Sequence, residues 1–481
     1  MNTVQRIAKN TITLLISQAV VSIFGLILSI LIARKLGDIQ YGKYAFAVAF
    51  TGIFCTFVGL GYGMLMIREV ARDKSLIRKY FGNVTAIYLV TSIVTNVILI
   101  ITINLLHYPT ETKLLVYSLG IYTGLVAIAS IARMTFRIYE RMEYEMYTLI
   151  LREAVRVGLG IAILLMGYGL KGLAYVFVFS GIVDLLISFF ICSKKFTKPR
   201  IEFDFSFLTS TLKIAFPFAL FSVFALIYTN TDTVIISVLK GDEAVGLYNV
   251  ANNLTQNLQP FAVLFLNALF PIISIYYLSS KESLKIAYEK AFQYLFIISL
   301  PMSVGIFILA QRIILLVYGS GYEKSVVVLQ ILSFEILLMF MIQCLGFMLV
   351  AINKQNEMVL IICIGALVNV VCNVILIPHF SYIGSAIATI ITEIILFYFY
   401  YYQISKYLKK LSLLKLTVSP IIATILMTIF IYCFKGINLI LLIIIAVAIY
   451  FFAIYFTRGI SQEDIGLLKQ IFKIPKNNNP D

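Results

Sequence analysis

Two stretches lying 204 residues apart carry the reading of the fold: Gly37-Asp38-Ile39-Gln40-Tyr41-Gly42-Lys43-Tyr44-Ala45-Phe46-Ala47 and Gly241-Asp242-Glu243-Ala244-Val245-Gly246-Leu247-Tyr248-Asn249-Val250-Ala251. Both spell Gly-Asp-x3-Gly-x-Tyr-x2-Ala, and each follows a long apolar run. Gly-Asp turns recur by chance between helices, but five matched positions at equivalent places favour duplication. A weaker echo links Gly172-Leu173-Ala174 with Gly384-Ser385-Ala386. Repeated halves are a transporter architecture, with the substrate site between them near mid-membrane.

Working outward, the 481 residues are 61% hydrophobic and only 13% charged. Soluble proteins are nearer ~45–50% apolar and ~25% charged, so a soluble reading is excluded. A transmembrane helix needs about 20 mostly apolar residues. Fourteen such runs fall near 12–33, 44–66, 81–104, 114–135, 148–166, 173–193, 214–238, 246–278, 286–309, 326–352, 358–377, 385–402, 416–433 and 439–457. The fold class expected is therefore an all-α polytopic membrane protein, with two pseudo-repeated six-helix lobes and a C-terminal helix pair. The lobes would occupy 1–193 and 214–402, joined by a basic linker at 194–213. Helices 13 and 14 would fill 403–457, with a tail at 458–481.

The net charge of +15 would suggest nucleic acid in a soluble protein. Here Lys and Arg concentrate in alternate connections by about three to one, which the positive-inside rule explains without a nucleic-acid partner. That bias places both termini in the cytoplasm of a multi-pass cell-membrane protein. The first run is longer than a signal-peptide core and ends in Arg34-Lys35 without a small-residue cleavage site, so it reads as a retained helix.

Several chemistries are set aside. The six cysteines contain no Cys-x-x-Cys pair, and His107 and His379 are scattered in connections, so neither a metal cluster nor a histidine triad is indicated. Gly167-Tyr168-Gly169-Leu170-Lys171-Gly172 fits a dinucleotide fingerprint by letter but lies between membrane helices with no strand before it. Glu323 stands where a phosphate loop before Lys324-Ser325 needs glycine. The outward connections are too short to house a polymerase's catalytic acids, so no enzyme is expected.

Charged groups inside spans face a cavity or a partner. Arg152 and Arg156, one turn apart in span 5, are candidates for a phosphate clamp, since guanidinium forks match phosphate oxygens. The plainer alternative is snorkelling, with salt bridges to Asp184 or Glu145; Glu153 is expected to point elsewhere. Arg133 begins an i, i+4, i+8 stripe with Arg137 and Arg141, which reads as a cytoplasmic charge band with Arg133 reaching toward the vestibule. Span 8 is dense in amides. Asn249, Asn252, Asn253 and Gln256, with Asn230 opposite in span 7, form a candidate sugar-binding wall, though amides also glue helices in lipid. Pro260 and Pro271 would let that span bend. Asp184, Asp232, Glu335 and Glu393 are the remaining acids expected inside spans.

The chain resembles the multidrug/oligosaccharidyl-lipid/polysaccharide flippase superfamily, and within it the polysaccharide-biosynthesis, O-antigen (Wzx-type) branch. The residues carrying the likeness are Ala33-Arg34-Lys35-Leu36-Gly37 through Tyr44, Arg68-Glu69-Val70-Ala71-Arg72, and Gly241 through Tyr248. Tyr318-Gly319 through Tyr322 and Ile377-Pro378 through Ala388 complete it. The resemblance implies a MATE-like fold and a monomeric flippase. It would carry a polyprenyl-(pyro)phosphate oligosaccharide between leaflets by alternating access, among membrane lipids and glycan-assembly enzymes. The lipid II flippase branch implies a sodium site, which maps here onto Asp232, Asn369, Asn373 and Thr389; Asn373 departs from it, standing where that branch has a second acid. No cofactor is expected, and the coupling ion is open between Na+, H+ and none. The rivals are a cation-coupled multidrug exporter of the same fold, disfavoured because the first span lacks an acid, and a polytopic glycan polymerase.

Overall fold

The structure is a computed structural model that describes residues 3–197, 201–408, 411–457 and 459. Most of the tail read at 458–481 therefore lies outside the described residues. In chain order the helices are α1 (Thr3–Cys55), α2 (Tyr62–Arg72), α3 (Ile77–Leu105), α4 (Thr110–Ile138), α5 (Met142–Leu165), α6 (Gly169–Lys195) and α7 (Phe205–Lys240). They continue as α8 (Asp242–Gln256), α9 (Gln259–Ser279), α10 (Lys281–Val317), α11 (Ser325–Ala351), α12 (Gln355–Tyr407), α13 (Leu413–Cys433) and α14 (Leu439–Phe456). Among the described residues there is no strand.

The two helices of 53 residues would each be ~80 Å long if straight, against an apolar membrane core of about 30 Å. Each is two spans joined at a non-helical residue, Gly37 (φ 81°, ψ 177°) in α1 and Ser381 (φ 53°, ψ −139°) in α12. Gly241, the repeat partner of Gly37, has nearly the same conformation (φ 82°, ψ −176°). The duplication read from letters is thus present in the backbone, at a left-handed φ that glycine adopts without a Cβ penalty.

The repeats also pack on each other. A Cβ on Gly42 would lie 1.8 Å from the Asp242 carbonyl oxygen, and one on Gly246 would lie 2.2 Å from that of Asp38. The two motifs cross reciprocally, and glycine is what lets the backbones meet. Around this crossing a single buried cluster runs from one lobe into the other, through Leu28, Ile32 and Tyr41 to Val245, Tyr248, Tyr318 and Val328. Interlobe hydrogen bonds reinforce it: Arg34 Nε to the Val317 carbonyl (2.6 Å), Tyr322 Oη to the Ala33 carbonyl (3.0 Å) and Tyr108 Oη with Ser237 Oγ (2.9 Å). The other large clusters each belong mainly to one lobe, at Tyr62–Cys192 and at Ala262–Leu411. The lobes are therefore sealed at the end bearing the odd-numbered connections.

Three expectations need correction. The second span does not run through 66: α1 ends at Cys55, and three successive left-handed residues, Gly59, Leu60 and Gly61, turn the chain into the short amphipathic α2. The eighth span is likewise broken, between Gln256 and Gln259, and Pro260 sits in the first turn of α9, where its missing N–H costs nothing. The linker is shorter than 194–213, because α7 begins at Phe205. Asp204 caps it by accepting the Phe207 N–H (2.9 Å), and its own N–H donates to Asn83 Oδ1 (2.7 Å). The Phe207 N–H, helped by Lys79 3.6 Å away, holds the Asp204 carboxyl below the usual carboxylate range.

Candidate functional site

A cavity of about 360 Å³ lies between the lobes, beneath the crossed repeats. The first leg of α1 lines it with Ser22, Gly25 and Ser29, and the second leg with Tyr41 and Tyr44. From α7 come Thr229, Asn230 and Thr233, from α8 Asn249, Asn252 and Asn253, and from the following break Asn257. α5 contributes Arg156, the one charged residue among the described residues of the lining. The polar part of the wall is thus hydroxyl and amide, set among Val21, Leu26, Val48 and two alanines, with a single guanidinium and, among the described residues, no carboxylate.

Three of these amides, Asn253, Asn249 and Asn230, are held in place. Asn253 Nδ2 crosses the lobe boundary to donate to Tyr41 Oη (2.7 Å), which shares a hydrogen bond with Ser29 (2.9 Å). Asn249 Nδ2 donates to Thr233 Oγ1 (3.1 Å), and Asn230 Nδ2 to the Leu226 carbonyl (3.0 Å). Gln256 departs from the expectation of a sugar-facing wall. It turns into the second lobe and donates to Glu335 (2.7 Å), because the break after it ends the helix face it would have shared.

Behind Arg156 the charges form a chain of alternating sign. Arg133 Nη1 reaches both oxygens of Asp184 at 2.8 Å, and its Nη2 donates to the Val126 carbonyl (3.0 Å). Arg152 Nη1 lies 3.5 Å from the same Asp184, while its Nε donates to Glu153 (3.0 Å). Arg156 Nη2 pairs with the other oxygen of Glu153. The two-arginine clamp is therefore not assembled: Arg152 and Arg133 are held in ion pairs, and Arg156 alone reaches the cavity. Glu153, expected to point elsewhere, sits between the two arginines. Burial forces that outcome, since a guanidinium without a partner in this interior is costly. Arg156 also lies over the Phe177 ring (5.6 Å) and 3.8 Å from where a Cβ on Gly25 would sit, while its buried Nε has no protein partner. Glu145 is taken by Arg137 (2.7 Å).

The second lobe is the opposite. Asp232 Oδ1 accepts from Asn373 Nδ2 (2.6 Å), and its Oδ2 from Tyr248 Oη (2.7 Å) and Thr389 Oγ1 (3.0 Å). Ser385 Oγ donates to Asn373 Oδ1 (2.8 Å). Glu335 also accepts from Thr255 (3.1 Å), and Glu393 accepts from Tyr228 Oη. Among the described residues these three acids are met by hydroxyls and amides, with no Lys or Arg paired to them. The structure does bring Asp232, Asn369, Asn373 and Thr389 together. Yet the Asn373 amide nitrogen occupies the centre of the oxygens of Asp232 and Asn369, at 2.6 to 3.1 Å. A hard cation needs acceptor oxygens around it, so as arranged this donor-filled set does not fit sodium.

Sequence reasoning missed Ser22, Ser29, Tyr41, Tyr44, Thr229 and Thr233, while Asn257 belongs to the amide-dense stretch it singled out. The signal for the first two was the small-polar spacing of Ser22, Gly25 and Ser29 along the first apolar run, at helical intervals.

Comparisons with known proteins agree with this architecture. The model of a family described as polysaccharide biosynthesis protein matches residues 7–276, and the MatE family model matches 217–375. The chain is 28% identical over 240 residues to the uncharacterized membrane protein MJ1068 of Methanocaldococcus jannaschii, covering 48% of this chain and 47% of that one. It thus spans about half the length of that relative. It is 24% identical over 375 residues to the probable low-salt glycan biosynthesis flippase Agl15 of Haloferax volcanii, covering 74% and 75%. Among solved structures, the lipid II flippase MurJ in an inward closed conformation matches with a TM-score of 0.78 at 16% identity, over 92% of this chain and 98% of that one. An inward-facing multidrug resistance MATE family transporter matches at 0.65 and 17%, over 80% and 95%. At these identities the structural likeness is one of fold.

Proposed function

We propose that this chain, which belongs to the polysaccharide biosynthesis protein family of the flippase superfamily, moves a polyprenyl-linked saccharide phosphate from the inner to the outer leaflet. The carrying observation is the interlobe cavity: one guanidinium for a phosphate, amides and hydroxyls for sugar, and no acid among its lining residues. Arginine suits phosphate because its planar fork matches the anion's oxygens. The multidrug-exporter reading fits less well, since a cation entering the cavity would meet the Arg156 guanidinium and, among the described lining residues, no carboxylate. A purely apolar groove of about 350 Å³ between α10, α13 and α14, lined by Pro301, Met427 and Tyr450, would suit the polyprenyl tail.

Transport would proceed by opening the seal at the crossed repeats while the opposite end closes. The charge bias supports placing both termini, and the even-numbered connections, in the cytoplasm of a cell-membrane protein. No cofactor or catalytic step is called for, and glycan-assembly enzymes would supply and consume the cargo around a monomer. A coupling ion, if used, is better matched by a proton than by sodium: among the described residues Asp232, Glu335 and Glu393 have no Lys or Arg partner, and the Asn373 amide donates where sodium would want an oxygen.

The test is mass spectrometry of lipid carriers from cells lacking this protein. Build-up of one saccharide-linked carrier is the expected result. Unchanged carriers together with new sensitivity to cationic drugs would overturn the proposal in favour of an exporter.

A further inference from the structure

The charge chain behind the cavity says more about the cargo than that it is anionic. Three guanidiniums, Arg133, Arg152 and Arg156, share two carboxylates, Asp184 and Glu153. One positive charge is left over. Both acids are essentially sealed from solvent, at 0% and 1% side-chain exposure, so water does little to absorb any imbalance. The surplus emerges at Arg156, the only end of the chain that lines the cavity and the one whose buried Nε lacks a protein partner. Among the described residues nothing else in the lining is charged.

A buried site is most stable with its charge balanced, because in low dielectric an unmatched ion interacts strongly and is poorly solvated. We infer that the cavity selects a lipid head with a single negative charge, a phosphodiester-linked neutral saccharide, over a pyrophosphate-linked one. This rests on the flippase reading and narrows its substrate class. A phosphodiester carries one charge and would neutralise Arg156. A pyrophosphate diester carries two, and the second would find only amides and hydroxyls. Those neutral donors suit saccharide hydroxyls, which fits a head that is otherwise uncharged.

Glu153 is then a positioning residue that sets the surplus without touching the cargo. In Glu153→Gln the surplus rises to two, so preference for the single charge should shrink or reverse. If that variant fails to fold, Asn252→Lys adds a second cation to the lining, where no side-chain hydrogen bond of Asn252 needs breaking.

The full chain, reconstituted in vesicles, would be given two synthetic probes with the same short polyprenyl chain and N-acetylhexosamine, one joined through phosphate and one through pyrophosphate. Translocation is read as protection of the sugar from a membrane-impermeant oxidant. The expected result is a preference of about tenfold or more for the phosphodiester, reduced in Glu153→Gln or Asn252→Lys, and loss of both probes in Arg156→Gln with rescue by Arg156→Lys. Equal or better movement of the pyrophosphate probe by the native chain overturns the single-charge inference and leaves the flippase reading standing. An unchanged preference in a folded Glu153→Gln variant overturns the charge-counting basis. Movement of neither probe above protein-free vesicles overturns the flippase reading itself.

Discussion

The two lobes share a frame and differ in what they bury. In the first, three arginines and two acids form an ion chain that ends at the cavity. In the second, Asp232, Glu335 and Glu393 are met by hydroxyls and amides. The divergence starts at matched positions. The repeat offset places Leu28 in the first lobe where Asp232 stands in the second, and pairs Tyr44 with Tyr248. Tyr248 has a carboxylate to donate to, whereas Tyr44 lines the cavity and stacks on Phe177 at 6.1 Å. Duplication thus supplied the scaffold, and substitution within it made one lobe a candidate anion binder and the other a candidate proton carrier.

The largest effect is expected of Asp184→Asn, which leaves Arg133 and Arg152 facing each other in a buried site. Removing one member of such a network costs about 3–5 kcal/mol, so thermal unfolding in detergent should fall sharply, with partial recovery when Arg133→Met is added. A melt like that of the native chain would mean the ion chain is not structural.

Making the second lobe resemble the first is the next test. Asp232→Leu strips the acceptor from Tyr248, Thr389 and Asn373, each worth part of a total near ~2–3 kcal/mol. Asp232→Asn should lose less stability while abolishing any proton-driven uptake, measured with an imposed pH gradient. Retention of gradient-driven transport in a folded Asp232→Asn protein would remove this acid from coupling.

The shared frame itself is probed at the crossing. In Gly42→Ala or Gly246→Ala the new methyl meets a backbone carbonyl, and overpacking of this kind costs about 1–3 kcal/mol. Cross-linking of Tyr108→Cys to Ser237→Cys by a short bifunctional thiol reagent, which spans the gap the tyrosine ring fills in the native hydrogen-bonded pair, reports the seal; its yield should drop in both glycine variants. A drop in only one would show that the crossing is not symmetric in energy. The mildest change is Lys43→Met. Its partner Glu111 at 2.8 Å is 27% exposed, so the expected loss is below ~1 kcal/mol by chemical denaturation.

Much of the frame was legible because membrane burial is written in composition: long apolar runs, a basic bias in alternate connections and the Gly-Asp repeat all survive without knowledge of contacts. The breaks at Gly59-Leu60-Gly61 and after Gln256 were less so, since the residues around them are apolar enough to read as continuous span. Of the residues that line the cavity, Arg156, Asn230, Asn249, Asn252 and Asn253 could be singled out beforehand by the cost of polar groups in lipid. Arg152, Arg133 and Gln256 were flagged for the same reason but serve as internal partners.

By itself, then, the sequence determined that this is a duplicated, all-helical membrane protein with polar groups buried at particular depths. Hydropathy and repeat spacing are local properties of the chain, and the membrane imposes them span by span. Only the tertiary structure decided which buried charges cancel. Glu153 adjoins Arg152 in sequence, yet whether it pairs with Arg152, with Arg156 or with both depends on rotamers set by α1, α4 and α6 packed around α5. The net charge of that buried cluster is a property of the assembly and of no residue alone.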